Sequence, residues 1–197
     1  MKIPQRQFPL LNEIASCQAC VAHLPNPPRP VLSASSSARL LIIGQAPGRR
    51  VQQSGIPWSD ASGNQLRAWL QLSETQFYDA SRIAIVPMGF CYPGKGTSGD
   101  LPPRPECAPL WHSRLLASMS DIQLALLIGS YAQAYYLDKQ VKPTLTATVA
   151  HHAEYLPKFF PLPHPSPRNR FWLSRNPWFE KDVLPILRNK VRDALGY

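Results

Sequence analysis

Three short apolar runs, each emptying into a turn built on glycine or proline, constrain what this chain can fold into. They are Arg39-Leu40-Leu41-Ile42-Ile43-Gly44, Arg82-Ile83-Ala84-Ile85-Val86-Pro87 and Gln123-Leu124-Ala125-Leu126-Leu127-Ile128-Gly129. None alternates apolar with polar residues, so each reads as a strand buried on both faces, the mark of a parallel sheet covered by helices. Between them lie helical stretches. Residues 62–72 carry Ser62 as N-cap and bury Leu66, Trp69 and Leu70. A helix with Pro105 in its first turn carries Leu110, Trp111, Leu115 and Leu116, and Ser130 caps a helix to residue 137. Residues 145–149 and 159–162 read as further short strands, residues 10–22 as a short helix running into a turn, and residues 178–195 as a helix that Pro185 kinks or divides. The expected fold is α/β: one three-layer α/β/α domain over residues 1–197 around a central, mainly parallel, four-stranded sheet. Residues 1–38 form an N-terminal cysteine-containing segment and a proline-rich connector.

Composition bounds the function. The chain has 197 residues, 44% of them apolar, enough for one sizeable core and too many for disorder. Its 22 prolines are about twice the average usage and imply many loops of fixed direction. Net charge is +9, and residues 158–197 hold eight basic against three acidic side chains. That imbalance favours a polyanion, above all nucleic acid, through counterion release. No apolar run reaches membrane-spanning length and Met1-Lys2-Ile3-Pro4-Gln5 lacks a signal-peptide core, so the expectation is a cytoplasmic monomer.

The stiffest polar loop lies near the end, at Leu162-Pro163-His164-Pro165-Ser166-Pro167-Arg168-Asn169. Its alternate prolines forbid a helix and leave a rigid mount for a histidine, a serine, an arginine and an asparagine. The first apolar run ends in Gln45-Ala46-Pro47-Gly48, which places that turn at the carboxyl edge of the sheet, where open α/β folds bind ligands. Four cysteines stand in loop-like surroundings: Cys17 and Cys20 as a Cys-x-x-Cys, then Cys91 and Cys107. In a reducing compartment that pattern suits metal or cluster ligation, by zinc or by iron and sulfide, with four reduced core cysteines as the alternative.

These motifs together resemble the uracil-DNA glycosylase superfamily, nearest its iron–sulfur (family 4) branch. Gly44-Gln45-Ala46-Pro47-Gly48 is similar to that branch's Gly-Glu-Ala-Pro-Gly, and Gly55-Ile56-Pro57-Trp58 to its Gly-x-Pro-Phe, whose aromatic stacks on the flipped base. Cys17, Cys20, Cys91 and Cys107 match its cluster ligands in order, which implies a [4Fe-4S] iron–sulfur cluster, with zinc as the alternative. His164-Pro165-Ser166-Pro167-Arg168-Asn169 resembles the second motif, in the form found in the single-strand-selective branch.

The resemblance implies a DNA repair glycosylase that flips a deaminated base such as uracil from single- or double-stranded DNA and hydrolyses its N-glycosidic bond. A non-catalytic or weakly catalytic damaged-DNA binder of the same fold is the alternative; a metal-dependent enzyme with catalytic cysteines ranks third. Such chemistry needs a flat stacking face (Trp58), a donor to the departing base anion (His164), and phosphate or wedge contacts (Ser166, Arg168, Asn169). Gly44, Ala46, Pro47, Gly48 and Pro87 would form the pocket. Two residues depart from the pattern. Gln45 stands where the branch has Glu and cannot act as a base, so Asp60 is the candidate to help orient water, or else a plain helix-start aspartate. Pro87 stands where uracil-excising branches read the base with Asn, which leaves the identity of the base open. His151 and His152 read as a solvent-exposed pair or as lining the site, and His23 and His112 as surface or capping residues. Trp69, Trp111, Trp172 and Trp178 read as core, with Trp172 close enough to the basic loop to reach DNA. Arg49, Arg50 and Lys95 suit phosphate contact or plain solvation.

Overall fold

A computed structural model describes residues 9–197; the reading of residues 1–5 lies outside them. Four strands, β1 (Leu40–Ile43), β2 (Ile83–Ile85), β3 (Leu124–Ile128) and β4 (Phe159–Leu162), form one sheet in the order β2-β1-β3-β4. All three pairings are parallel, with Leu41 opposite both Ala84 and Ala125, and Ile128 opposite Leu162. The outer edge of β2 is covered by Ser33, whose N–H and C=O both pair with Ile85, so no long edge is left open there.

The helices are α1 (Pro9–Ala15), α2 (Arg49–Ser54), α3 (Ala61–Leu70), α4 (Glu74–Phe77), α5 (Cys107–Ala117), α6 (Ser130–Leu137), α7 (Leu145–Ala150), α8 (Arg170–Arg175) and α9 (Leu184–Leu195). Alternate strand residues feed two separate cores, as the period of two requires. Leu40, Ile42, Ile83, Ile85, Leu124 and Leu126 face α3 and α9, while Leu41, Ile43, Ala84, Ala125 and Leu127 face α1, α5 and α6. The layers are therefore helix, sheet, helix, in a single domain. Pro185 divides the last helix as expected: a π turn over Phe179–Val183 gives way to α9, with Pro185 in its first turn, where no N–H is needed.

Four local expectations fail. Residues 145–149 are helical, because the Thr144 hydroxyl caps the N–H of Ala147 and the Thr148 hydroxyl bonds back to Thr144 O. Asp60, not Ser62, caps α3, accepting from the Gly63 N–H at 3.0 Å. Gly129 precedes α6 as its N-cap residue, and Ser130 is the first helical residue. Pro105 lies before the N-cap of α5, and Leu110 faces solvent while Trp111 and Leu115 are buried.

Among the described residues no helix is long and apolar enough to cross a membrane.

Candidate active site

The carboxyl ends of β1 and β4 deliver the two loops that make the site. Beyond β1 the turn stays pinned to the chain following β2: the N–H of Met88 donates to Gly44 O (2.9 Å) and that of Gly89 to Gln45 O (3.0 Å). Beyond β4 the loop start is fixed by the buried amide of Gln133, whose Nε2 donates to both Leu162 O (2.9 Å) and Leu127 O (3.3 Å).

Between these loops lies a cleft that brings together Gly44, Gln45, Ala46, Pro47, Trp58, Asp60, Pro87 and His164. Eight of the residues singled out in the sequence, drawn from four separate segments, thus share one cavity. Gly48 adjoins it as the N-cap of α2. The Trp58 and His164 rings lie against each other in its lining, with centroids 5.6 Å apart and planes tilted by 34°. Trp58 holds this position from a left-handed backbone, φ +57°, a conformation that costs a bulky residue roughly 1–3 kcal/mol. Two glycines make room for it. A Cβ on Gly44 would lie 2.8 Å from the indole, and one on Gly63 only 1.7 Å from Trp58 O.

The polar lining of the cleft is Gln45, Asp60, Ser62 and His164. Burial pushes His164 below the ordinary histidine range, and the Asp60 carboxylate draws it partly back; the imidazole is neutral at neutral pH and available as an N–H donor. Asp60 lines the cleft and caps α3 with Oδ1, as the helix-start reading expects. The Gln45 amide donates at 3.5 Å to Leu101 O, on a hairpin closed by the Lys95–Asp100 bridge. Pro87 is part of the wall beside Ile85.

The loop after His164 is a short turn of its own. The Asn169 side chain donates to His164 O at 2.7 Å, and the Ser166 hydroxyl accepts from the N–H of Arg168 at 3.3 Å. Both side chains thus hold the mount of His164 in addition to any contact with DNA. Arg168 is exposed and reaches Ser98 O at 3.5 Å, on the same hairpin that Gln45 touches. Three residues further on, Phe171 is 80% exposed, more than any other large apolar side chain described. Arg49, Arg50 and Lys95 are exposed, and Arg50 borders a shallow polar groove that shares Asp60 with the cleft.

The histidines outside the loop are sorted differently from expectation. His151 is exposed, but His152 is buried and stacks on Phe160 at 4.9 Å, so the two are not a solvent pair and neither lines the cleft. His23 is exposed. His112 is not a surface residue: it is 1% exposed and bonded through both ring nitrogens, to Pro87 O and the Tyr136 hydroxyl. Trp69 and Trp111 are core, and Trp172 and Trp178 pack at its margin against Phe179.

A second pocket gathers all four cysteines, from the turn after α1, the loop beyond β2 and the start of α5. All four are free thiols, and among the described residues none of them belongs to a group of three ligands suited to one metal ion. Burial pushes the Cys91 thiol up to about 11 and the Cys107 thiol up to about 12. The N–H of Phe90 already points at Cys107 Sγ, 3.4 Å away.

Phe171, Gly63 and His112 were not foreseen as parts of the site. The only signal for Phe171 was an aromatic set among Arg168, Arg170 and Arg175; Gly63 and His112 carry none, because their partners are distant in sequence. Residues 32–188 match the family model of the uracil DNA glycosylase superfamily.

Proposed function

The chain belongs to the uracil DNA glycosylase superfamily, and from that membership we propose that it is a monofunctional DNA repair hydrolase. It cleaves the N-glycosidic bond of a flipped-out deaminated base such as uracil. The observation that carries this reading is the adjacent pair Trp58 and His164 in the lining of a cleft at the carboxyl edge of the sheet. Flipping costs a few kcal/mol. Stacking on the Trp58 face returns roughly 1–3 kcal/mol of it. As the bond stretches, positive charge grows on the sugar and negative charge on the base. The neutral His164 imidazole donates to the base anion from a partly dry site, where such a donor acts most strongly. Asp60 orients the attacking water with its free oxygen. Arg168 and Phe171 meet the DNA beside the cleft, as phosphate contact and apolar wedge. The protein acts as a cytoplasmic monomer.

For the cysteine pocket we propose a [4Fe-4S] cluster held by Cys17, Cys20, Cys91 and Cys107, zinc being the alternative. Four thiols from three separate segments share one pocket, a donor set that suits an iron–sulfur cluster or a tetrahedral zinc. When bound, the cluster supplies a cross-link between the N-terminal segment, the loop beyond β2 and α5.

A second reading, a damaged-DNA binder with weak or no catalysis, is favoured by Gln45, which has no carboxylate and whose amide is engaged by Leu101 O. Gel assays on oligonucleotides carrying uracil, hypoxanthine or xanthine separate the two. Alkali-labile sites on any of them support hydrolysis; retained binding with no cleavage on all three sinks the enzyme reading.

A further inference from the structure

His112 lies on α5, on the far side of the wall that Pro87 presents to the cleft. Its Nε2 is 3.0 Å from Pro87 O and its Nδ1 is 2.6 Å from the Tyr136 hydroxyl. A carbonyl can only accept, so Nε2 carries the proton and Nδ1 accepts from Tyr136. Burial lowers its pKa to about 4, so this neutral tautomer persists at neutral pH. Phe90 stacks on the ring, with centroids 5.7 Å apart and planes 12° from parallel.

The other side of the contact is the base cleft. Pro87 has no N–H, its side chain has no polar atom, and its one acceptor is held by His112. Ile85, Val31, Val51 and Pro57 line the same cleft and are apolar too, and Gln45, Asp60, Ser62 and His164 supply its polar groups. We propose that His112 is a positioning residue that fixes the Pro87 wall, so that this side of the pocket selects the flipped base by size and not by hydrogen bonding. An apolar wall of this kind rejects added bulk by about 10–200-fold but discriminates weakly between bases that differ only in polar pattern. A flipped base with added ring bulk against this wall is refused. The inference rests on the base-pocket reading above.

The test compares uracil with 5-bromouracil in otherwise identical oligonucleotides, as single-turnover rates and as equilibrium binding. In the native protein uracil should be preferred by about tenfold or more. His112→Phe keeps a ring but deletes the donor; it should shrink that preference several-fold while affinity for undamaged DNA stays put, and His112→Gln should restore part of it. Pro87→Ala combined with His112→Phe should lose no more preference than the larger single effect, because both act through one wall. Should His112→Phe fail to fold, Tyr136→Phe removes the hydroxyl that orients the imidazole and should move the preference the same way. An unchanged preference in a folded variant, or effects that simply add, would overturn the proposal. Absence of excision for every base would sink the hydrolase reading instead, and the binding preference then decides the role of His112 by the same criteria.

Discussion

Trp58 and His164, one on the loop before α3 and the other beyond β4, hold their rings 5.6 Å apart. Neither ring makes a side-chain hydrogen bond within the described residues, so the pair is set by the backbones that carry it. His164→Ala should therefore lower single-turnover excision by about a hundredfold or more. The thermal unfolding midpoint should stay near that of the native protein, since a cleft-lining histidine gives the core little. A variant that excises normally would remove His164 from the mechanism.

Gly63→Ala should do what deletion of the indole cannot. Its new methyl would meet Trp58 O at 1.7 Å, which forces the loop or the first turn of α3 to move. A loss of about 2–4 kcal/mol in denaturant unfolding is the expected size of such a clash, with excision falling alongside. Unchanged stability would mean that the loop relaxes freely and that Trp58 is not held by this contact.

Phe171→Ala should weaken binding to damaged DNA and leave stability unchanged, because the ring is 80% exposed. Arg168→Ala should instead flatten the salt dependence of binding, lowering the slope by about one phosphate equivalent. Titrations at several salt concentrations distinguish these outcomes.

Stability should fall with acid in a window set by His112. Its folded pKa of about 4 lies below the ordinary histidine value, so the unfolded chain binds the extra proton first. Stability is whole above about pH 6.5 and is lost progressively down to about pH 4, by about 3 kcal/mol from this residue. His152 and His164 are shifted in the same direction by burial and add to the loss. Urea unfolding at successive pH values checks this, and a folded His112→Phe variant should show a shallower decline.

Protein purified without oxygen should absorb broadly at about 400 nm and carry iron and sulfide. Replacing any one of Cys17, Cys20, Cys91 or Cys107 by Ser should bleach the band. Colourless protein with stoichiometric zinc would establish the alternative, and protein with no metal would leave four reduced thiols.

Much of this was readable before any coordinates. Leu40–Ile43 and Leu124–Ile128 declare themselves because a strand buried on both faces needs apolar residues at every position. His164 stands out because prolines fix its loop, where polar residues have few structural duties, whereas Trp58 is reached only through the resemblance of Gly55-Ile56-Pro57-Trp58 to the family motif. The errors fall where local hydrogen bonds outweigh side-chain preference. Thr144 and Thr148 turn a β-branched stretch into α7 by bonding their own backbone. His112 escaped for a different reason: a histidine on a helix looks like surface until the strand-end carbonyl it faces is known. The pocket's selectivity is hidden in the same way, since it depends on where Pro87 O points.

The fit of Trp58 between Gly44 and Gly63 bears on how this protein can diverge. Gly44 and Trp58 behave as one heritable unit, because a side chain at Gly44 is excluded while the indole is present, whereas Gly63 is held by the Trp58 carbonyl whatever the side chain. A descendant can reach a different pocket only by shrinking the aromatic first, passing through forms that stack poorly on a base. The order of permissible substitutions is thus written into the cleft, and it favours small adjustments at Pro87 over any change at Trp58.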